Sequence, residues 1–164
     1  MPYAEELPAP AANRRGVTRK ELWGYMAAQE FALVSPAMHE EFLLNYQLPI
    51  LSRFGLAAYG CCEDLTRKIG MLRRIPNLRR IAVSPFADAG RCAEQIGRDY
   101  VLSYRPSPAD MVSYGLDEER VKTILRRDLR ACRGCFVDIT LKDVETVQGD
   151  AERVRRWVAL ARRT

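Results

Sequence analysis

The sequence predicts an α/β protein built on a parallel sheet, and three observations carry that expectation. Short apolar runs alternate with amphipathic helical stretches through most of the chain. Four strand-then-helix units follow one another, the order that right-handed βαβ crossovers turn into a parallel sheet. The 164 residues, 48% of them apolar, suffice for one core but fall short of the ~250 residues of a complete eight-unit β/α barrel. Four parallel strands make either a small doubly wound domain or half of a barrel, and the pattern does not choose between them.

Each element has its own signal. Residues 1–17 hold Pro2, Pro8 and Pro10 among alanines and charges without periodicity, and are expected to be an arm or connector to a domain over 18–164. Ser35-Pro36 is a helix start, a capping hydroxyl followed by proline at the first helical position. Met38, Phe42, Tyr46, Ile50 and Phe54 then recur every four residues and give that helix an apolar face, with Pro49 expected to kink it and Gly55 to end it. Residues 56–59 read as a strand, 63–75 as a helix, 80–84 as a strand, and 87–96 as a helix closed by Gly97. Residues 100–104 read as the third strand, followed by the loop Arg105-Pro106-Ser107-Pro108. The helix over 117–133 is the clearest, capped by Asp117, with Val121, Ile124, Leu125, Leu129 and Cys132 on one side and arginines opposite. Residues 135–140 form the last strand, and Asp150 caps a final helix that turns Val154, Trp157, Val158 and Ala161 inward.

Composition narrows the function classes. The 26 Lys+Arg exceed the 21 Asp+Glu by 5, a modest excess with no basic tail, so no nucleic-acid partner is expected. No apolar run nears the ~18 residues of a membrane span, and the N-terminal residues lack the basic-then-apolar order of a signal peptide, so a cytoplasmic location and no membrane partner are expected. Five cysteines, odd in number, lie in apolar segments and read as reduced thiols.

The run Leu22-Trp23-Gly24-Tyr25-Met26-Ala27-Ala28-Gln29-Glu30, continuing to Val34-Ser35-Pro36-Ala37-Met38, resembles the uroporphyrinogen decarboxylase superfamily. So do Tyr59-Gly60-Cys61-Cys62-Glu63, Ile75-Pro76-Asn77-Leu78-Arg79-Arg80 and Val83-Ser84-Pro85-Phe86-Ala87-Asp88, and together they are similar to an uncharacterised branch of it, from about residue 6 onward. The resemblance implies the C-terminal half of a (β/α)₈ TIM barrel, its four strands matching the last four of the family. Members either decarboxylate acetate side chains of a tetrapyrrole or move methyl groups between a corrinoid and a thiol. The expected function is therefore a tetrapyrrole- or corrinoid-linked lyase or transferase fragment that needs assembly for activity, as a homodimer or with an N-terminal-half partner. The alternatives are a cobalamin-dependent methyltransferase relative and a non-catalytic assembly subunit or truncated remnant. No cofactor is assigned, and an anionic small molecule or a tetrapyrrole is the expected ligand.

In a barrel the active groups stand where strands end. Cys61, Cys62 and Glu63 are the catalytic candidates there, because a thiolate is both a nucleophile and a soft ligand. Methyltransferase relatives hold zinc with a His-x-Cys pair and a later cysteine; the matching positions here are Tyr59, Cys61 and a place near Lys142, so no metal site is expected. Arg105 and Lys142 are expected to clamp an anion, with Tyr59, Ser84 and Asp143 in the substrate-binding set, to which the resemblance adds Gln29 and Glu30, which follow the Trp23-Gly24-Tyr25 turn at a place that forms part of the pocket in the superfamily. Cys92, Cys132 and Cys135 are expected in the core, and His39, beside Glu40 and Glu41, on the surface.

Overall fold

The computed structural model describes residues 16–113 and 115–164; most of the expected N-terminal arm therefore lies outside the described residues. The sheet has five parallel strands, one more than expected: β1 (Trp23–Met26), β2 (Leu56–Tyr59), β3 (Leu78–Val83), β4 (Val101–Tyr104) and β5 (Phe136–Ile139), in the spatial order β1-β2-β3-β4-β5. The additional strand is β1, whose Trp23-Gly24-Tyr25 reads as a turn because of its glycine. Gly24 is required by packing instead: a Cβ there would stand 2.8 Å from a ring carbon of Phe54.

The order never reverses, so the switch point of a doubly wound sheet is absent among the described residues. With right-handed crossovers, such an order lays every helix on one face, as in the wall of a barrel. The helices are α1 (Pro36–His39), α2 (Asn45–Leu51), α3 (Ile69–Leu72), α4 (Ala89–Ile96), α5 (Pro108–Met111), α6 (Glu118–Ala131) and α7 (Glu152–Ala161), with a π-turn over Glu40–Leu44 joining the first two. Neighbours α3 and α4, α4 and α6, and α6 and α7 touch in sequence order, consistent with a single layer. No helix among the described residues is long and apolar enough to cross a membrane.

The caps behave as local chemistry dictates. Ser35, Asp88 and Asp117 accept hydrogen bonds from the backbone N–H of Met38, Arg91 and Arg120, and the Asp150 carboxylate accepts from Glu152. The helix expected over 63–75 shrinks to α3, because Asp64 turns its side chain back onto the Thr66 N–H at 2.8 Å and offers the backbone an alternative to the helix. The loop after β4 instead contains the short helix α5.

Register separates the two faces. Ala57, Tyr59, Ile81, Val83, Leu102 and Tyr104 face the helices and join the core with Leu44, Leu51, Leu65, Ile69, Ile96 and Leu125. The other face carries Trp23, Tyr25, Arg80, Ser103 and Asp138. There Arg80 pairs with Asp138 across β4, Ser103 donates to the same carboxylate at 2.9 Å, and the Arg80 guanidinium stands 5.9 Å from the Trp23 ring centre. Trp23, Arg80 and Ser103 are buried on this face, where Arg80 and Ser103 find their shared partner in Asp138 across the strands.

The first helical segment corrects the sequence reading. Its stripe of Met38, Phe42, Tyr46 and Ile50 faces solvent, with exposures of 50, 55, 70 and 47%, while His39 is fully buried. The opposite face carries Leu43, Leu44, Leu48 and Leu51, so the helix is apolar on both sides and four leucines outweigh the aromatic stripe in contact with the sheet. His39 can enter the core because it finds partners there. Tyr59 donates its hydroxyl proton to Gln47 Oε1 at 2.7 Å, which leaves His39 Nε2 as the donor to the Tyr59 oxygen at 2.9 Å.

Candidate functional site

The site begins where the strand ladders run out. Gly60 N–H still bonds Met26 O, Arg105 N–H bonds Val83 O and Thr140 N–H bonds Tyr104 O, so the loops after β2, β4 and β5 leave the sheet at a common level. Gly60 makes the sharpest of these exits, with φ at +95°; a Cβ there would stand 2.5 Å from Leu65 Cδ1 and 3.1 Å from Ala82 Cβ. The glycine therefore presents Cys61 and Cys62 at the strand end, facing the loop that follows β5.

Cys61 Sγ lies 2.8 Å from Lys142 Nζ and 2.8 Å from Gln29 Nε2. Both groups donate, so the sulfur receives two hydrogen bonds, one charged. Tyr25, whose hydroxyl is 3.3 Å from Gly60 O, adds a third interaction. Burial raises the Cys61 thiol, but the hydrogen bonds from Lys142, Tyr25 and Cys62 outweigh it and hold the group below the ordinary thiol value. Cys62 is its opposite: burial and its hydrogen bond to Asp143 Oδ2, at 3.0 Å, push it up. Burial also lowers Lys142, but its bonds to Asp143 at 2.7 Å and to the two sulfurs outweigh that and leave it raised. Asp143, held in the left-handed region with φ at 57°, is lowered by the same lysine.

These groups open onto a cavity of about 320 Å³ lined by Cys61, Cys62, Phe86, Arg105, Lys142 and Asp143. Arg105 lies at the cavity, but its Nη1 is engaged by the carbonyls of Gly60 and Cys61 at 3.1 and 3.2 Å. The guanidinium thus fixes the cysteine loop and adds positive charge beside the cavity. Its buried Nε has no partner among the described residues.

The structure separates the other candidates from this cluster. Glu63 is buried, and both carboxylate oxygens are occupied: Oε1 accepts from Ala28 N–H and Oε2 from Cys61 N–H, each at 2.8 Å. The carboxylate brackets the residue before Gln29 to the residue that carries the thiol. Tyr59 points to the helix side, into its bonds with Gln47 and His39, and does not line the cavity. Ser84 is buried in a turn, its hydroxyl accepting from Phe86 N–H at 3.3 Å. Glu30 is exposed in the 3₁₀ turn over Gln29–Phe31, and no described contact ties it to the cysteines. Tyr25 is the member that sequence reasoning missed, and the signal was present: it belongs to an aromatic run, Trp23 to Met26, whose glycine masked a strand.

Tyr59 is turned away into the core, and the Lys142 ammonium bonds the Cys61 sulfur itself. Among the described residues no three His, Cys, Asp or Glu side chains cluster with metal-binding geometry. Cys92 and Cys132 are buried, and burial pushes both thiols up to about 11. Cys135 is half-buried and donates to Ala93 O. No family profile, curated protein or solved structure matches the chain.

Proposed function

We propose that the chain is a uroporphyrinogen decarboxylase-like part-barrel that takes a small anionic substrate at its strand ends and transfers a group to the Cys61 thiolate. The observation that carries this reading is the placement of Cys61 Sγ 2.8 Å from both Lys142 Nζ and Gln29 Nε2, at the edge of a cavity. The arrangement favours transfer over decarboxylation, since the carboxylates nearest the thiol are occupied: Glu63 by two amides and Asp143 by Lys142. In the transfer step the sulfur attacks an electrophilic carbon. The S–C bond forms as the bond to the leaving group breaks, and the leaving group keeps that electron pair. A cavity of about 320 Å³ suits a small carboxylate or phosphate. A tetrapyrrole or corrinoid would need walls beyond those this chain supplies, and no step is assigned to one.

Iodoacetate tests the reading as a small anionic electrophile, with neutral iodoacetamide as its control. Cys61 is expected to alkylate faster than the other four cysteines at neutral pH. Lys142→Gln removes a charge-assisted hydrogen bond of ~1.5–3 kcal/mol and should slow the reaction ~10–100-fold. The loss should be larger for iodoacetate, which also meets the lysine's charge, and the exposed control Arg156→Ala should leave both rates unchanged. Equal Cys61 labelling in the parent and Lys142→Gln, read by tandem mass spectrometry, would count decisively against the thiolate.

Assembly belongs to the same proposal. Among the described residues both sheet edges, β1 and β5, pair on one side only, and Tyr25 and Phe136 stand 46 and 45% exposed on them. Five strands leave three to complete a barrel of eight, so a complement of three βα units fits better than a second copy, which would make ten. The solvent-facing stripe of Met38, Phe42, Tyr46 and Ile50 also favours a protein that works within an assembly. Light scattering of the chain isolated with its native partners is expected to give a mass above one chain that differs from that of a homodimer, and a monodisperse monomer recovered without a partner would favour a self-sufficient open sheet.

A further inference from the structure

We infer that Cys61 and Cys62 form a reversible oxidation site, in which a hydroperoxide oxidises Cys61 and Cys62 resolves it by closing a disulfide between the adjacent residues. The inference rests on the reading of Cys61 as a thiolate and adds a modification that switches it off.

Four features support it. The two sulfurs are 3.7 Å apart, and both cysteines are only half-buried and line the same cavity, so a small oxidant reaches them. One ammonium serves both: Lys142 Nζ is 2.8 Å from Cys61 Sγ and 3.3 Å from Cys62 Sγ, so negative charge moving from one sulfur to the other stays beside it. The roles differ, because Cys62 donates its proton to Asp143 at 3.0 Å while Cys61 accepts from Lys142 and Gln29. Finally, consecutive Cα atoms stand ~3.8 Å apart, short of the ~4.4–6.8 Å of ordinary disulfides. A disulfide between them is strained and readily reduced, which is the property of a switch rather than of a structural staple.

The chemistry balances. The Cys61 thiolate attacks the terminal oxygen of ROOH; an S–O bond forms, the O–O bond breaks, and the departing alkoxide takes a proton from Lys142, which regains one from solvent. Cys61 is now a sulfenic acid. The Cys62 sulfur then attacks Cys61 sulfur, the S–S bond forms and the S–O bond breaks, and the departing hydroxide leaves as water with the thiol proton of Cys62. Sulfur is oxidised by two electrons in all, and the peroxide is reduced to alcohol and water. A dithiol reverses the bond by exchange and becomes a disulfide itself.

The experiment treats the whole chain with stoichiometric hydrogen peroxide, digests it with trypsin and measures mass. Cys61 and Cys62 fall on one peptide, 54–67, whereas Arg133 separates Cys132 from Cys135. The expected product is peptide 54–67 lighter by two hydrogens and restored by dithiothreitol. In Cys62→Ser the lighter peptide should disappear, and Cys61 should instead accumulate as a sulfenic acid captured by dimedone. Cys62→Ala provides the same reading without a hydroxyl. Parent peptide that gains oxygen without losing two hydrogens, or a disulfide linking 132 to 135 with 54–67 unchanged, overturns the inference. If iodoacetate labelling of reduced Cys61 still depends on Lys142 in that case, the thiolate reading stands and the switch alone fails.

Discussion

Glu63→Ala is expected to destabilise the protein by about 3–5 kcal/mol and to dismantle the thiol site with it. The carboxylate satisfies two backbone N–H groups, those of Ala28 and Cys61, at 2.8 Å each. Hydrogen bonds to a charged group contribute ~1.5–3 kcal/mol apiece, and a buried donor left without a partner forfeits its hydration as well. Ala28 has no exposure, so water cannot replace the lost acceptor unless the loop opens. Opening it separates Gln29 from Cys61, whose 2.8 Å contact spans the two segments that Glu63 brackets. Glu63→Gln should fall between parent and alanine, because an amide offers one acceptor oxygen but sets an NH₂ against the other N–H. Urea unfolding measures the loss, and hydrogen exchange at the Ala28 amide locates it. A loss under ~1 kcal/mol with that amide still protected would show that the bracket contributes little.

The same carboxylate shows what was legible in the sequence and what was not. Residue type and strand-end position single out Cys61, Cys62 and Lys142, the resemblance adds Gln29, and the structure brings these four together from three separate loops. Those signals do not distinguish a reacting carboxylate from one occupied by backbone amides. Glu63 therefore enters the catalytic set on type alone, and only the structure shows that backbone amides occupy both of its oxygens. Nor do those signals give the side-chain direction, which alternates along a strand and takes Tyr59 to the helix face.

Strands β2 to β5 and helices α4, α6 and α7 are legible because apolar period and capping agree there. The departures occur where two signals compete. Gly24 marks a turn by propensity and a strand by packing. In the helical segment 36–51 two apolar faces compete, and the i, i+4 spacing of Met38, Phe42, Tyr46 and Ile50 is the more regular of the two. Leu44, Leu48 and Leu51, which meet the sheet, recur at i, i+4 and i+7, a helical spacing less uniform than the repeat of four on the other face. A face chosen on regularity alone is thus the wrong one, and His39 moves from surface to core with it.

Because it is buried, His39 should make stability depend on pH between about 4 and 6.5. The ring belongs to a chain of donors running one way: His39 Nε2 to Tyr59, Tyr59 to Gln47 at 2.7 Å, and Gln47 Nε2 to Ala27 O at 3.2 Å. Nδ1 carries the lone pair and is buried without a partner among the described residues. Protonation would add a charge and an N–H without an acceptor, and Lys68 nearby opposes it further. Burial first, then Lys68, lowers the ring to about 4, against the weaker pull of Glu63. The folded value lies below the unfolded one, so between them the unfolded chain binds a proton that the folded chain refuses, and stability rises with pH. The contribution is complete above about 6.5 and lost as pH falls toward about 4. A difference of 2.5 between those values corresponds to about 3 kcal/mol. His39→Gln keeps a donor for Tyr59 but cannot titrate, so its stability advantage or deficit relative to the parent should shift by that amount between pH 7 and 4. Carboxylates titrate alike in both proteins and cancel in the comparison. Parallel urea-unfolding curves for parent and variant across that range would mean that the ring reaches water or a proton acceptor on Nδ1, and the pH dependence would then belong to the carboxylates alone.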